Sequence, residues 1–267
     1  MGADIKILRS RIKSIDSTLH LTKAMGLVAA SKIRRATEAM NRSNEYEKAV
    51  SDVMDKLIVC PEAVKSPYLE KRESDKTCLL VVAGDRGLAG GYNVNIFNTV
   101  REYDSSVIIP IGKRACERYG RGYSSAEKFS TDDAVSLAKD VCRRFSEGEF
   151  DRVGIVCTKY ISIMSQEAQV KWILPLEKKQ TDKQSGILFE PDEITILNTA
   201  VSEYIAAMIV AAVRESFASE VAARRFAMDS AGKNAQEMMS DLQIKYNRAR
   251  QGEITQEITE IVAGSNV

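Results

Sequence analysis

The sequence predicts an α/β protein in which two long terminal helices pair as an antiparallel coiled coil and the segment between them folds as a small Rossmann-like α/β domain. The first reason is the position of the prolines. All five lie between residues 61 and 191, so the first 60 residues and the last 76 contain none of these strong helix breakers. The second reason is that short β-branched runs alternate with helix-like stretches in the middle segment. The predicted boundaries are 1–60 for the N-terminal helix, 61–191 for the α/β domain and 192–267 for the C-terminal helix.

In the N-terminal segment, apolar residues recur at alternating intervals of three and four. The predicted seam consists of Ile5, Leu8, Ile12, Ile15, Leu19, Ile33, Ala36, Met40, Val50, Val53 and Leu57. Such spacing places the side chains on one face of a helix, as in a coiled coil. The segment carries 11 Lys and Arg against 7 Asp and Glu. Its basic face fits acidic protein loops or phosphates, or a solvated surface beside an acidic helix. Aromatic residues do not interleave with the basic ones up to position 36, so we expect no nucleic-acid partner.

The middle segment predicts a small, largely parallel sheet. Its expected strands are Thr77–Ala83, Ser106–Ile111, Arg152–Thr158 and Gln166–Leu176. Its expected helices are Asn93–Tyr103, Lys113–Tyr119 and Asp132–Phe145. Strands that alternate with helices in this way are typical of an α/β domain.

The stretch "GDRGLAGGYN" at residues 84–93 follows the first expected strand and begins a helix. That position is typical of a phosphate-binding loop. However, the glycines are followed by Tyr92 and Asn93 instead of the Lys-Ser or Lys-Thr of a P-loop, and their spacing does not fit the dinucleotide pattern. We therefore expect a tight strand-to-helix turn in which Asp85 or Asn93 accepts hydrogen bonds from backbone amides.

The C-terminal segment repeats the coiled-coil pattern. Its predicted seam consists of Ile194, Leu197, Val201, Tyr204, Met208, Met228, Ala231, Ala235, Met238 and Leu242. The segment carries 7 Lys and Arg against 11 Asp and Glu, so its net charge is opposite to that of the first helix. At ~1.5 Å per residue the two helices would span roughly 85 and 105 Å, and the second would extend past the first.

The overhanging tip of the second helix carries an apolar stripe. Ile254, Ile258 and Ile261 are spaced four and three apart, with Val262 beside them. We expect these side chains to be buried against another protein, the alternatives being a shifted first helix or a frayed end.

Several site classes are not expected. The five cysteines are widely spaced and include no CxxC pair, and His20 is the only histidine, so we expect no metal site, no cofactor and no catalytic residue. The apolar run Ala206–Val213 is far shorter than the ~20 residues of a membrane span, so direct membrane insertion is not expected.

Four segments together carry a specific resemblance. They are "RIKSIDSTLHLTKAMGLVAASKIRRA" (11–36), "GDRGLAGGYN" (84–93), "ASEVAARRFAMDSAGKNA" (218–235) and "YNRARQGEITQEITEIVAG" (246–264). The sequence resembles the gamma subunits of F-type ATP synthases, in their bacterial form. The resemblance implies a central rotor shaft that couples ion flow through the membrane sector to ATP synthesis or hydrolysis on the beta subunits. It implies as partners the alpha and beta subunits of the catalytic hexamer, the epsilon subunit and the c-subunit ring, at the cytoplasmic face of the bacterial cell membrane.

The resemblance also assigns roles to individual residues. It implies contacts with beta subunits that transmit torque at Lys23, Met25, Arg250, Gln251, Thr255 and Glu257. It implies that the stripe formed by Ile254, Ile258, Ile261 and Val262 turns inside an apolar sleeve of the hexamer. ATP chemistry would belong to the beta subunits.

The sequence departs from the family pattern at several positions. These are Gly26 and Gly232 within the helices, Gly252 below the tip, where we expect an interruption, Ala89 in the glycine turn, and Ser265. Two rival classes stay open: a nucleotide-binding enzyme with coiled-coil arms, and a coiled-coil adaptor or scaffold with an α/β domain.

Overall fold

A computed structural model describes residues 2–60, 65–70, 72, 76–103, 107–177 and 192–265. Its helices are α1 (Gly2–Ile58), α2 (Tyr92–Arg101), α3 (Lys113–Tyr119), α4 (Thr131–Ser146) and α5 (Glu193–Ser265), with a short 3₁₀ helix at Pro67–Leu69. Its strands are β1 (Thr77–Val82), β2 (Val107–Ile111), β3 (Arg152–Tyr160) and β4 (Gln166–Leu174). The two long helices and the four strands thus confirm the predicted fold class.

The chain divides into two compact units. One unit comprises Met1–Ala29 and Arg225–Val267, and the other comprises Ala30–Arg224. The boundary therefore falls within the two long helices and not at the ends of the α/β segment. Each long helix contributes to both units.

The sheet lies in the unit formed by residues 30–224 and has the strand order β2-β1-β3-β4. Strand β1 is parallel to β2 and β3, whereas β4 is antiparallel to β3. Every residue of β1 is buried, because helices cover both faces of the sheet. Leu80 and Val82 pack in the cluster that contains α4 and parts of α1 and α5, whereas Leu79 and Val81 pack against α2 and α3. The sheet is thus the middle layer of an α/β/α sandwich.

Within this unit, α5 is a core element. The segment from Leu197 to Ala222 buries most of its side chains, and many of them are alanines. Farther along the same helices, Ala36 and Met40 of α1 pack with Ala218 of α5. Small side chains such as these let the two helix backbones approach closely.

In the other unit, α1 and α5 run antiparallel. A side chain at Gly26 would approach Met228 and Asp229, and one at Gly232 would approach Thr22. Residues later in α1 thus face residues earlier in α5, as in an antiparallel pair. Continued at this register, the first turn of α1 falls opposite about residue 252 of α5.

Two predicted seam positions are wrong by one residue. Val53 is exposed, whereas its neighbour Met54 is buried. Met238 is likewise exposed, and the adjacent Met239 is half-buried. In each case two neighbouring apolar residues competed for the seam, and the rotation of the helix decided between them.

The expected interruption at Gly252 is also wrong. Helix α5 is continuous from Glu193 to Ser265, and apart from the adjoining residues and the local helix backbone no atom lies within 4 Å of the place where a Cβ at Gly252 would be. The glycine is an exposed position in an unbroken helix.

Candidate functional site

The apolar stripe at the end of α5 is exposed in the isolated chain. Ile254 is 44% exposed, Ile258 57%, Ile261 70% and Val262 54%. All four lie on the part of α5 that extends past the point opposite the first turn of α1. The structure thus presents an apolar helical surface of about three turns to solvent.

The polar residues assigned to torque transmission surround this stripe. Arg250, Gln251, Thr255 and Glu257 are all exposed. The Thr255 hydroxyl donates a hydrogen bond to the Gln251 carbonyl oxygen at 2.8 Å, which fixes the hydroxyl against its own helix and leaves its oxygen able to accept. Within about two helical turns, the exposed surface thus carries a guanidinium, an amide, a hydroxyl and a carboxylate.

Lys23 and Met25 lie elsewhere on the same unit. Lys23 is exposed and Met25 is half-buried. In the antiparallel register, Lys23 falls opposite about residue 231, and about 19 residues separate that point from Arg250, which corresponds to roughly 30 Å along the helix. The predicted beta contacts therefore form two separate groups and do not converge on one site.

The glycine turn at residues 84–93 is organised by its own polar side chains, as predicted. The Asn93 side-chain oxygen accepts a hydrogen bond from the Gly84 amide at 2.9 Å. The Asp85 carboxylate accepts from the Lys113, Ala126 and Glu127 amides at 2.8 to 3.1 Å. Asn93 thus binds an amide of the turn itself, and the Asp85 carboxylate, which would repel a phosphate, is occupied by amides from outside the turn. The arrangement favours a structural role over phosphate binding.

The environment of Asp85 sets its ionisation. Burial raises its pKa, but hydrogen bonds from the Ser125 hydroxyl and the three amides outweigh that effect and hold the pKa below its ordinary value. The carboxylate is therefore charged at neutral pH and holds the segment that follows β2 and α3 close to the glycine turn.

Sequence reasoning missed a group of contacts that ties this turn to both long helices. Arg224 of α5 donates from Nε and Nη2 to the Gly87 carbonyl oxygen, each at 3.2 Å, and pairs with the buried Glu220. Lys32 of α1 pairs with Glu127 at 2.6 Å. The available signal was Glu220 and Arg224 four residues apart in an otherwise apolar, Ala-rich stretch.

A stretch of α5 has the length and apolar character of a membrane span, with a mean hydropathy of 1.7 over 18 residues. More than half of that window, 56%, is buried within the protein. The run from Ala206 to Val213 packs in the core cluster beside the sheet. These contacts are typical of a core helix.

Other predicted features lie outside the α5 tip and the turn. His20 is exposed and lies 3.7 Å from Asp16, so it is a surface histidine. The five cysteines are free thiols. Within the described ranges, no group of three or more His, Cys, Asp or Glu side chains is placed to hold a metal ion.

Comparison with known proteins gives concordant results. A family model described as ATP synthase matches residues 4–267. The ATP synthase gamma chain of Ruminococcus albus is 39% identical over 281 residues, which cover 98% of each chain.

Solved structures with the same fold come from mitochondrial ATP synthases. The rotor of the Euglena gracilis enzyme in rotational state 1 matches with a TM-score of 0.66 at 18% identity, over 95% of this chain and 100% of that chain. The OSCP, F1 and c-ring structure of the same enzyme in rotational state 3 matches with a TM-score of 0.69 at 18% identity, over 100% of this chain and 95% of that chain. The central stalk and c-ring structure of the Tetrahymena thermophila enzyme matches with a TM-score of 0.59 at 19% identity, over 79% of this chain and 99% of that chain.

Proposed function

The chain belongs to the ATP synthase gamma-chain family, and from this premise we propose that it is the central rotor shaft of an F-type ATP synthase. Its partners would be the alpha and beta subunits of the catalytic hexamer, the epsilon subunit and the c-subunit ring. The shaft would couple ion flow through the membrane sector to ATP synthesis or hydrolysis on the beta subunits. The observation that carries the proposal, besides family membership, is the exposed apolar stripe on the overhanging end of α5.

We assign the stripe to a bearing. Ile254, Ile258 and Ile261 present aliphatic surface on one face of the helix. An apolar sleeve would remove this surface from water without directional hydrogen bonds. A contact of this kind would hold the shaft on its axis, and the free energy of the contact would change little as the shaft rotates.

The polar groups around the stripe have the opposite character and are the candidates for torque. Arg250, Gln251, Thr255 and Glu257 offer hydrogen bonds and ion pairs that depend strongly on distance and direction. Together with Lys23 and Met25, they would engage loops of one beta subunit after another. Their separation into two groups gives the shaft two levels of contact along its length.

The chain needs no catalytic residue for this role. An asymmetric shaft presents a different face to each of three equivalent beta subunits, so that each has a different preferred conformation and nucleotide affinity. Turning the shaft exchanges those states. ATP chemistry would belong to the beta subunits, and the complex would lie at the cytoplasmic face of a bacterial membrane.

A reversible cross-link tests the proposal. Thr255→Cys, joined by a disulfide to a cysteine in the facing beta loop, should arrest steady-state ATP hydrolysis by the whole complex, and reduction should restore it. The complex that carries the beta cysteine but keeps Thr255 is the control and should keep its activity under oxidation. A fixed scaffold or adaptor would behave otherwise: full activity with the bond verified on a gel would rule out a rotating shaft.

A further inference from the structure

We propose that a polar collar, formed by Lys32, Gly87, Glu127, Glu220 and Arg224, fixes both long helices to the α/β domain against twisting about their axes. The collar would carry torque between the α/β domain and the coiled coil. This inference rests on the proposed rotor function and deepens it by assigning positioning residues to it.

The position of the collar in the chain is the first support. Lys32 lies three residues from the point where α1 passes into the other compact unit, and Arg224 is the last residue before α5 does so. The collar contacts are thus the last side-chain attachments described here that join each helix to loops of the α/β domain before the unit boundary. Any twist applied beyond that boundary reaches these attachments first.

On α5, the attachment is buried and directional. The Glu220 side chain is 3% exposed and the Arg224 side chain 12%. Arg224 uses two of its nitrogens on one carbonyl oxygen, that of Gly87. A rotation of α5 about its axis would pull the guanidinium from this oxygen and leave a partly buried carbonyl without its donor, whereas the pair formed by Arg224 and Glu220 lies within α5 and would turn with it.

The glycine turn is also pressed against this pair. A Cβ at Gly84 would lie 2.7 Å from Glu220 Cδ and 3.0 Å from Oε1. The backbone of the turn therefore forms one wall of the space that holds the carboxylate. This close approach limits movement of α5 toward the turn as well as rotation.

On α1, the attachment reaches the same turn through Glu127. Lys32 Nζ lies 2.6 Å from Glu127 Oε1, and Arg86 Nη2 lies 3.7 Å from Oε2. The Glu127 amide in turn donates to Asp85 at 3.0 Å. Because Asp85 and Gly87 belong to one glycine turn, the two helices are joined to each other through a single short segment of backbone.

Apolar packing alone would hold the helices less firmly against twist, because it is not directional. Further polar anchors lie deeper in the same unit. The Ser216 hydroxyl accepts a hydrogen bond from the Thr158 amide at 3.0 Å, and the Ser216 carbonyl oxygen accepts one from the Tyr92 hydroxyl at 3.0 Å. The Ser219 hydroxyl donates to the Thr158 carbonyl oxygen at 3.2 Å. Loss of the collar should therefore loosen the helices without detaching them. The collar is thus open to test in a folded protein.

The test measures torsional stiffness in the whole ATP synthase complex. The end of α5 is locked to a beta subunit through Thr255→Cys, and a reporter rod is attached to the exposed α4 position Lys139→Cys. The variance of the angle of the rod is inversely proportional to the stiffness between the two points. If the two attachments share the load equally, removing one should raise that variance by up to twofold, because charge-assisted hydrogen bonds supply resistance at the collar while the helices beyond it add flexibility of their own.

The collar variant is Glu220→Gln with Arg224→Gln, which removes the charges in pairs and leaves no buried charge unpaired. The matched control is Arg143→Gln with Glu147→Gln, an exposed Arg–Glu pair four residues apart on α4. The collar variant should broaden the angular distribution and the control should not. Equal distributions for the collar variant and the parent, or equal broadening by the control, would overturn the proposal.

Lys32→Gln with Glu127→Gln is the second variant, because its pair is partly exposed and less critical for folding. If the first variant does not assemble, this second variant takes its place. It should broaden the angular distribution of the rod to a similar extent, and an unchanged distribution would count against the collar. The rotor function is tested separately in the unlocked parent complex. Failure of the rod to turn with ATP would refute the rotor itself, whereas turning with unchanged stiffness in the variants would refute only the collar.

Discussion

Replacement of the three stripe isoleucines by alanine separates a bearing surface from a structural one. In the structure, Ile254, Ile258 and Ile261 are 44 to 70% exposed, so the free chain gains little from their burial. Alanine is also the strongest helix former. The triple variant should therefore keep the thermal midpoint of the free chain or raise it slightly.

The same substitution should weaken assembly. Full burial of an isoleucine side chain contributes about 1.5 to 3 kcal/mol, and about half of that remains to be gained when a partner covers these side chains. The expected loss is about 1 kcal/mol for each residue and about 3 kcal/mol for the three. At ~1.4 kcal/mol per tenfold change, the affinity for the alpha and beta subunits should fall roughly 100-fold.

The assay pairs circular dichroism melting of the free chain with a titration of complex assembly. Ile12→Ala is the contrasting control, because Ile12 lies half-buried in the seam with α5 and should lower the thermal midpoint. A triple variant that melts earlier but assembles with unchanged affinity would refute the reasoning and show that the stripe is packed within its own chain.

Two glycines with nearly equal φ angles separate steric crowding from backbone strain. Gly120→Ala, with φ of 102° and open space around the new Cβ, should lower the free energy of unfolding by about 1–3 kcal/mol. Gly112→Ala, with φ of 100° and a Cβ 2.0 Å from the Ala83 carbonyl oxygen, should cost clearly more, and equal effects in urea titrations would contradict the assignment. Because hydrogen bonds hold the pKa of Asp85 below that of an unfolded aspartate, its carboxylate should contribute stability above about pH 4, which is lost as the pH falls through the folded pKa. Asp85→Asn should remove this contribution, so unfolding curves of the two proteins should differ at pH 7 and converge toward pH 2; a constant difference would be inconsistent with the assigned bonds. Gly252→Ala should stabilise the end of α5 by about 1 kcal/mol, seen as higher helix content near the melting transition, and no gain would mean that this position is not helical in solution.

The heptad pattern predicted the long helices well because their seam is a local property. Intervals of three and four placed Leu19, Ala36 and Ala235 correctly among buried residues. The pattern failed at Val53 and Met238, where an adjacent methionine is the less exposed side chain. Two apolar neighbours satisfy the same spacing almost equally, and only the accumulated rotation of the helix distinguishes them.

The collar could not be predicted from spacing. Lys32 and Glu127 are 95 residues apart, and Arg224 and Gly87 are 137 apart. Their pairing depends on where α1 and α5 pass the glycine turn and Glu127, which no local pattern encodes. The torque residues at the tip are a different case, because their chemistry is visible in the sequence while their roles come from the family resemblance.

The continuity of α5 has a consequence for how its tip becomes ordered. A helix of about a dozen residues is only marginally stable on its own in water, because the first turn is costly to nucleate. The segment beyond Gly252 needs no nucleus, since the same helix is already formed and buried from Leu197 to Ala222. The tip only has to propagate that helix, one hydrogen bond at a time, and amide hydrogen exchange should accelerate steadily from the core toward Ser265. The stripe thus meets its partner as a preformed helix, and little conformational entropy is left to lose on binding.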